Sequence, residues 1–129
     1  MKRILFVLSL LMTALNTTFC SKQVQKEGNP LLVEATTPYG VPPFEQIKSY
    51  HYQPAFEHAM SLHKEEIAAI VAQSEEPTFE NTIEAMEYAG ETLDRVAGIF
   101  YNLMEANTND AMQETAEQIS PMLTEYSMY

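Results

Sequence analysis

Residues 78–105 read TFENTIEAMEYAGETLDRVAGIFYNLME, and their spacing decides the fold. Phe79, Ile83, Met86, Gly90, Leu93, Ala97, Phe100 and Met104 recur at steps of three and four. At about 100° per residue they share one broad face, the signature of an amphipathic helix. Glu80, Glu84, Glu87, Glu91 and Asp94 fall on the opposite face. Thr78, directly after Pro77, suits an N-cap. Glu91 precedes Arg95 by one turn, the favourable order for an ion pair. The spacing predicts one helix over 79–105, ending at the loop residues Asn107-Thr108-Asn109-Asp110.

Working outward, the same period appears on both sides. Upstream, Phe56, Met60, His63, Ile67, Ile70 and Val71 form a stripe. Pro54 suits its first turn, and Glu75-Glu76-Pro77 stops it, giving a helix over 54–74. Downstream, Met112, Ala116, Ile119, Leu123 and Tyr126 mark a third helix over 109–129. Pro121 within it removes the hydrogen bond to the Glu117 carbonyl, which predicts a kink or a new start. The short loop between the second and third helices implies that they pair antiparallel. The fold class is therefore all-α. The apolar pattern is still running at Tyr126 and Tyr129 with no glycine cap after it. It reads as a helix interrupted in mid-pattern, so the expectation is a fragment.

Before the helices the chain changes character twice. Residues 1–20 read as a signal peptide. Lys2 and Arg3 lead an apolar run from Ile4 to Leu15, too short to span a bilayer, followed by a small polar region to Cys20. The expected location is outside the cytoplasm, either periplasmic or lipid-anchored to a bacterial membrane. Cys20, the single cysteine, cannot form an internal disulfide. It supports two readings: the acylated first residue of a lipoprotein, and so a membrane tether, or the last residue of an ordinary leader with Thr18 and Cys20 as its small cleavage-site residues. Residues 21–53 then form a linker and an extended stretch punctuated by Pro30, Pro38, Pro42 and Pro43, just ahead of Pro54. Leu31, Leu32, Val33, Phe44 and Ile47 are interleaved there, which predicts packing on a neighbour.

The charge excludes some partners. The chain carries 18 acidic and 7 basic residues, net −11. Residues 1–20 hold Lys2 and Arg3 and no acid, so the remainder has 5 basic against 18 acidic, or −13. Such a surface repels phosphate backbones and disfavours nucleic-acid binding.

No catalytic constellation can be assembled. The histidines are His51, His58 and His63. His58 and His63 are five apart and diverge by about 140° on a helix, so they do not share a metal. His63 lies in the apolar stripe and reads as a core residue, and His58 as a solvated one. The acidic ridge reads as a solvated face rather than a calcium site, because one straight helix does not converge its carboxylates. No phosphate-cradling glycine loop is present. The methionines on the stripes read as core filler. No catalytic and no metal-ligating residue is assigned.

A resemblance goes further. Asn29-Pro30-Leu31-Leu32, Pro42-Pro43-Phe44 with Ile47, and His51-Tyr52-Gln53-Pro54-Ala55-Phe56 resemble the opening of the thimet-oligopeptidase family. Pro77-Thr78-Phe79-Glu80-Asn81-Thr82-Ile83 is the most specific piece, followed by Gly90-Glu91-Thr92-Leu93-Asp94-Arg95-Val96 and Thr108-Asn109-Asp110. Thr37-Pro38-Tyr39 and Glu66-Ile67-Ala68-Ala69-Ile70 look most like the bacterial peptidyl-dipeptidases. The resemblance covers residues 29–129. It implies the N-terminal part of a larger helical zinc peptidase that releases C-terminal dipeptides from short peptides. Its zinc-binding helix would lie in the remainder of the peptidase chain, so no zinc ligand or catalytic residue transfers to a position here. The alternative from the residues alone is an independent exported helical module that binds a partner without catalysis.

Overall fold

The computed structural model describes residues 28–128. The leader read over residues 1–20, Cys20 with its two readings, and the linker through residue 27 lie outside the described residues. The described chain is all-α and contains no strand. A short 3-10 turn at Pro38–Gly40 precedes three long helices: α1 (Ser49–Ala72), α3 (Glu91–Ala106) and α4 (Asp110–Tyr126). Between α1 and α3, a π-helical turn at Phe79–Glu84 runs into the short α2 (Ala85–Tyr88).

Three boundaries differ from the periodicity, each for a local reason. Helix α1 begins five residues before Pro54, which therefore sits inside the helix. The earlier start has its own cap: the Lys48 backbone N–H donates to His51 Nδ1 at 3.0 Å. His51 is the third helical residue, the position from which Glu or Gln reaches back in a capping box. Second, the helix read over 79–105 is divided. Thr78 is the N-cap, its hydroxyl accepting the Asn81 N–H at 3.1 Å while Asn81 Oδ1 accepts the Thr78 N–H at 2.8 Å. But the chain turns extended at Ala89 (ψ 130) and left-handed at Gly90 (φ 89), and α3 starts afresh. Third, α4 continues through Pro121 to Tyr126 without a new start. Ile119 before the proline is buried, and Met122 and Leu123 after it pack on the same core, so packing holds both sides of the missing bond.

Helix α1 is the element on which the others pack. It contacts both α3 and α4, which touch each other far less. The closer pairings are therefore those of α1 with each of them. The reason lies in its side chains. Ala55 and Ala59 are fully buried and let the neighbouring helices come close, while Tyr52, Phe56 and Met60 fill the space between them. Val96 and Phe100 of α3 and Met112 and Ile119 of α4 complete the core. Phe100 sits among three rings: Tyr52 at 4.9 Å, Phe56 at 5.6 Å and Tyr101 at 5.3 Å, all edge-to-face.

The proline-rich stretch packs on this core, as its apolar residues anticipate. Leu31 and Ile47 are buried within it. Asn29, itself buried, fastens the loop: its Nδ2 donates to the His51 carbonyl at 2.8 Å and its Oδ1 accepts the Leu31 N–H at 3.0 Å. Thr37 and Val41 close the small turn further on through a hydroxyl-to-carbonyl bond.

Candidate functional site

The three histidines do separate jobs along α1. His51 caps its first turn. His58, read as solvated, is partly buried. His63, read as a core residue, is also partly buried and is the hub of a joint between three elements. Its Nδ1 is 2.5 Å from the Tyr126 hydroxyl at the end of α4. Its ring lies 3.1 Å from where a Cβ on Gly90 would stand. One turn along α1, Glu66 Oε2 accepts the Gly90 N–H at 2.8 Å. Gly90 has no side chain with which to cap α3, and the α1 carboxylate instead holds the N–H of Gly90 itself, the bond a capping-box glutamate makes, at the helix end where negative charge is stabilised. Lys64 Nζ lies 5.3 Å from the Tyr126 ring centroid, a cation–π contact. Burial first, then the Asp94 and Glu66 charges, push the Tyr126 phenol above its ordinary pKa.

Beside this joint runs a groove of about 590 Å³, lined by His63, Lys64, Ile67, Ala68, Val71 and Tyr126. Its walls are mostly apolar. Val71 within it is 79% exposed, and in the elements that follow α1 Phe79 is 67%, Ile83 55% and Met86 54% exposed. The stripes therefore split in two. In α1 the stripe residues Tyr52, Phe56 and Met60 are buried, while further along Ile67 and Ile70 are only partly buried and Val71 is exposed.

The remaining charged groups are not brought together. The ridge residues Glu80, Glu84, Glu87, Glu91 and Asp94 are all exposed, and the break at Gly90 separates the first three from the last two. The Glu80 carboxyl is held below the ordinary carboxylate range, first by its own backbone N–H and then by the Thr78 hydroxyl. Arg95, read as the partner of Glu91, has its Nε buried without a hydrogen-bond partner among the described residues. Tyr52 Oη is likewise buried and unpartnered, and burial raises its pKa. Among the described residues no three His, Cys, Asp or Glu side chains gather in a way that could hold a metal ion. No helix among them is long and apolar enough to cross a membrane. Glu66, Gly90 and Tyr126 had no role in the sequence reading beyond stripe membership or motif text. His63 and Tyr126 are 63 residues apart and no local pattern links them.

No family model matches the chain. Individual relatives do. The chain is 46% identical over 97 residues to dipeptidyl carboxypeptidase of Escherichia coli (strain K12), covering 75% of this chain and 14% of that protein. It is 40% identical over 99 residues to dipeptidyl carboxypeptidase of Salmonella typhimurium, covering 77% of this chain and 15% of that protein. It is 32% identical over 101 residues to oligopeptidase A of Escherichia coli (strain K12), covering 78% of this chain and 14% of that protein. With 30–46% identity over about three-quarters of its length, this chain belongs to the thimet-oligopeptidase family, and it spans about one-seventh of the length of the curated relatives it matches.

Proposed function

We propose that this chain is the N-terminal helical segment of an exported zinc metallopeptidase of the peptidyl-dipeptidase type, which releases C-terminal dipeptides from short peptides. The observation that carries the reading is the gradient of identity: 46% to a dipeptidyl carboxypeptidase against 32% to an oligopeptidase A over nearly the same residues. The segment's own contribution is scaffold and channel wall, not chemistry. Its partner is the remainder of the peptidase chain, which supplies the zinc ligands. The exposed apolar residues Val71, Phe79, Ile83 and Met86 support packing on further polypeptide. Export, with a membrane tether if Cys20 is acylated, rests on the leader pattern of residues 1–20.

The expected result for the purified 129-residue chain is no release of dipeptides from N-blocked oligopeptides, with or without added zinc, and no stoichiometric zinc by elemental analysis. Zinc-dependent dipeptide release that a chelator abolishes would overturn the assignment of roles. Sequencing past the codon for Tyr129 tests the larger reading. An open frame encoding a His-Glu-x-x-His helix is expected, and an immediate stop leaves the peptidase only as ancestry.

One observation favours a second reading, an independent helical binding module: α1, α3, α4 and the Leu31 loop share a single core. A sharp, cooperative thermal melt followed by circular dichroism supports that module, and a broad, shallow one supports the segment.

A further inference from the structure

A proline stands in the second turn of α1. Pro54 has no N–H to give the Tyr50 carbonyl, so one backbone bond to the first turn is missing. The first turn nonetheless carries Tyr52 into the core and offers the His51 carbonyl to Asn29, which anchors the loop that buries Leu31. The His51 N–H donates to the Lys48 carbonyl at 2.9 Å, and the His51 imidazole adds the reciprocal bond. Its Nδ1 lone pair accepts the Lys48 N–H. In a neutral ring whose Nδ1 is an acceptor, the proton sits on Nε2, so the capping lone pair is also the ring's only basic site. An acid proton can enter only by displacing the cap.

We propose that His51 is a pH-sensitive clasp: neutral, it closes the first turn of α1 onto the Asn29–Leu31 loop, and protonated, it surrenders the cap and loosens both. The proton adds to Nδ1, the Lys48 N–H loses its acceptor, and the imidazolium is left at a helix N-terminus, where positive charge is disfavoured. The groups around it do not compensate. Lys48 is the charged neighbour and is repulsive, with its ammonium turned to the Glu45 carbonyl at 2.9 Å. The Tyr50 ring stands edge-on at 4.3 Å. The preceding loop brings the neutral amide of Asn29, and α3 brings Phe100 against the adjoining Tyr52.

The direction in pH follows. Burial, then Lys48, holds the His51 pKa below its ordinary 6.5. The unfolded or unclasped chain therefore takes the proton first. The clasp is at full strength above the ordinary value and is lost as pH falls through the lower folded one.

The test is amide hydrogen exchange on the full chain, corrected for intrinsic rates, at about pH 7.5 and about pH 5, either side of the imidazole range. Protection at Lys48 and Leu31 should fall about five-fold at the acid pH, the size of one lost cap, while amides of α3 around Phe100 keep theirs. In His51→Gln the side chain still reaches back as in a capping box but cannot titrate, so protection should be retained at both pH values. Unchanged protection in the wild-type chain, or the same acid loss in His51→Gln, would overturn the clasp. His51→Ala should be weakly protected at both, but the decision rests on the first two proteins, which both keep a cap at neutral pH.

Discussion

Phe100→Ala should remove about 3–5 kcal/mol of folding stability, the largest effect of any single truncation in this chain. Phe100 is 1% exposed and, among the described residues, is the one side chain that meets rings on both helix α1 and its own helix. Deleting it leaves a cavity bounded by Tyr52 and Phe56, and those rings are carried by the helix on which everything else packs. Collapse into the space is limited, because Ala55 and Ala59 already bring the backbones close. Total stabilities of small domains are about 5–15 kcal/mol, so most of the margin goes. Urea titration followed at the helical band, with the wild-type chain alongside, measures it. Tyr101→Ala serves as the comparison. That ring touches Phe100 but is 49% exposed, and its loss should cost far less. Equal costs for the two would place the centre of the core elsewhere.

The prominence of Phe100 was partly legible from sequence. It stands on the stripe with Leu93, Ala97 and Met104, and all four contribute to the core. The stripe of α4 was read equally well, from Met112 through Ile119 to Tyr126. Periodicity reports which residues share a face, and it cannot say whether that face has a partner. Phe79, Ile83 and Met86 share the period of Phe100 yet stand exposed, and Val71 of α1 does the same. Tyr52 was missed because Pro54 marked the helix start too late. A proline in the first turns is tolerated when a side chain such as His51 caps further upstream. The short loop between α3 and α4 does not show that α1 makes the larger contact with each of them. A short loop fixes which helices are neighbours in sequence, but the small residues Ala55 and Ala59 decide which can approach.

The split in α1 ties the fold to the proposed role. Its first half is committed to a core that the described residues complete by themselves. Its second half carries the His63 joint, the groove and an open apolar edge. A segment that only walls a channel needs both: a self-consistent core to hold its shape and an unfinished face for the chain it serves. The acidic ridge is consistent with this division, since its carboxylates are all exposed and none is committed to the joint except Asp94, through its field at Tyr126.

The joint itself yields the second large effect. Gly90→Ala should cost about 2–4 kcal/mol, from two sources that can be separated. The first is backbone strain: φ is +89 at this residue, a region that side chains with a Cβ rarely adopt. The second is contact. The new Cβ would stand 3.1–3.2 Å from three atoms of the His63 ring. That ring cannot withdraw freely, because its Nδ1 is engaged with the Tyr126 hydroxyl. Relaxing the clash therefore pulls on the C-terminal end of α4, while any shift of the Gly90 backbone stretches its bond to Glu66 and uncaps α3. A double-mutant cycle with His63→Ala divides the two sources. Without the ring only the strain remains, so the cost of Gly90→Ala in that background should fall by about 1 kcal/mol, the coupling of residues in direct contact. Gly90→Asn is the complementary variant, since asparagine tolerates the left-handed region but keeps the Cβ; it should relieve strain and retain the clash. Additive costs for Gly90→Ala and His63→Ala in urea unfolding would mean that the imidazole does not press on the turn. In that case the break between α2 and α3 would be set by the glycine's backbone freedom and the Glu66 cap alone, and the three-element joint would reduce to two separate contacts.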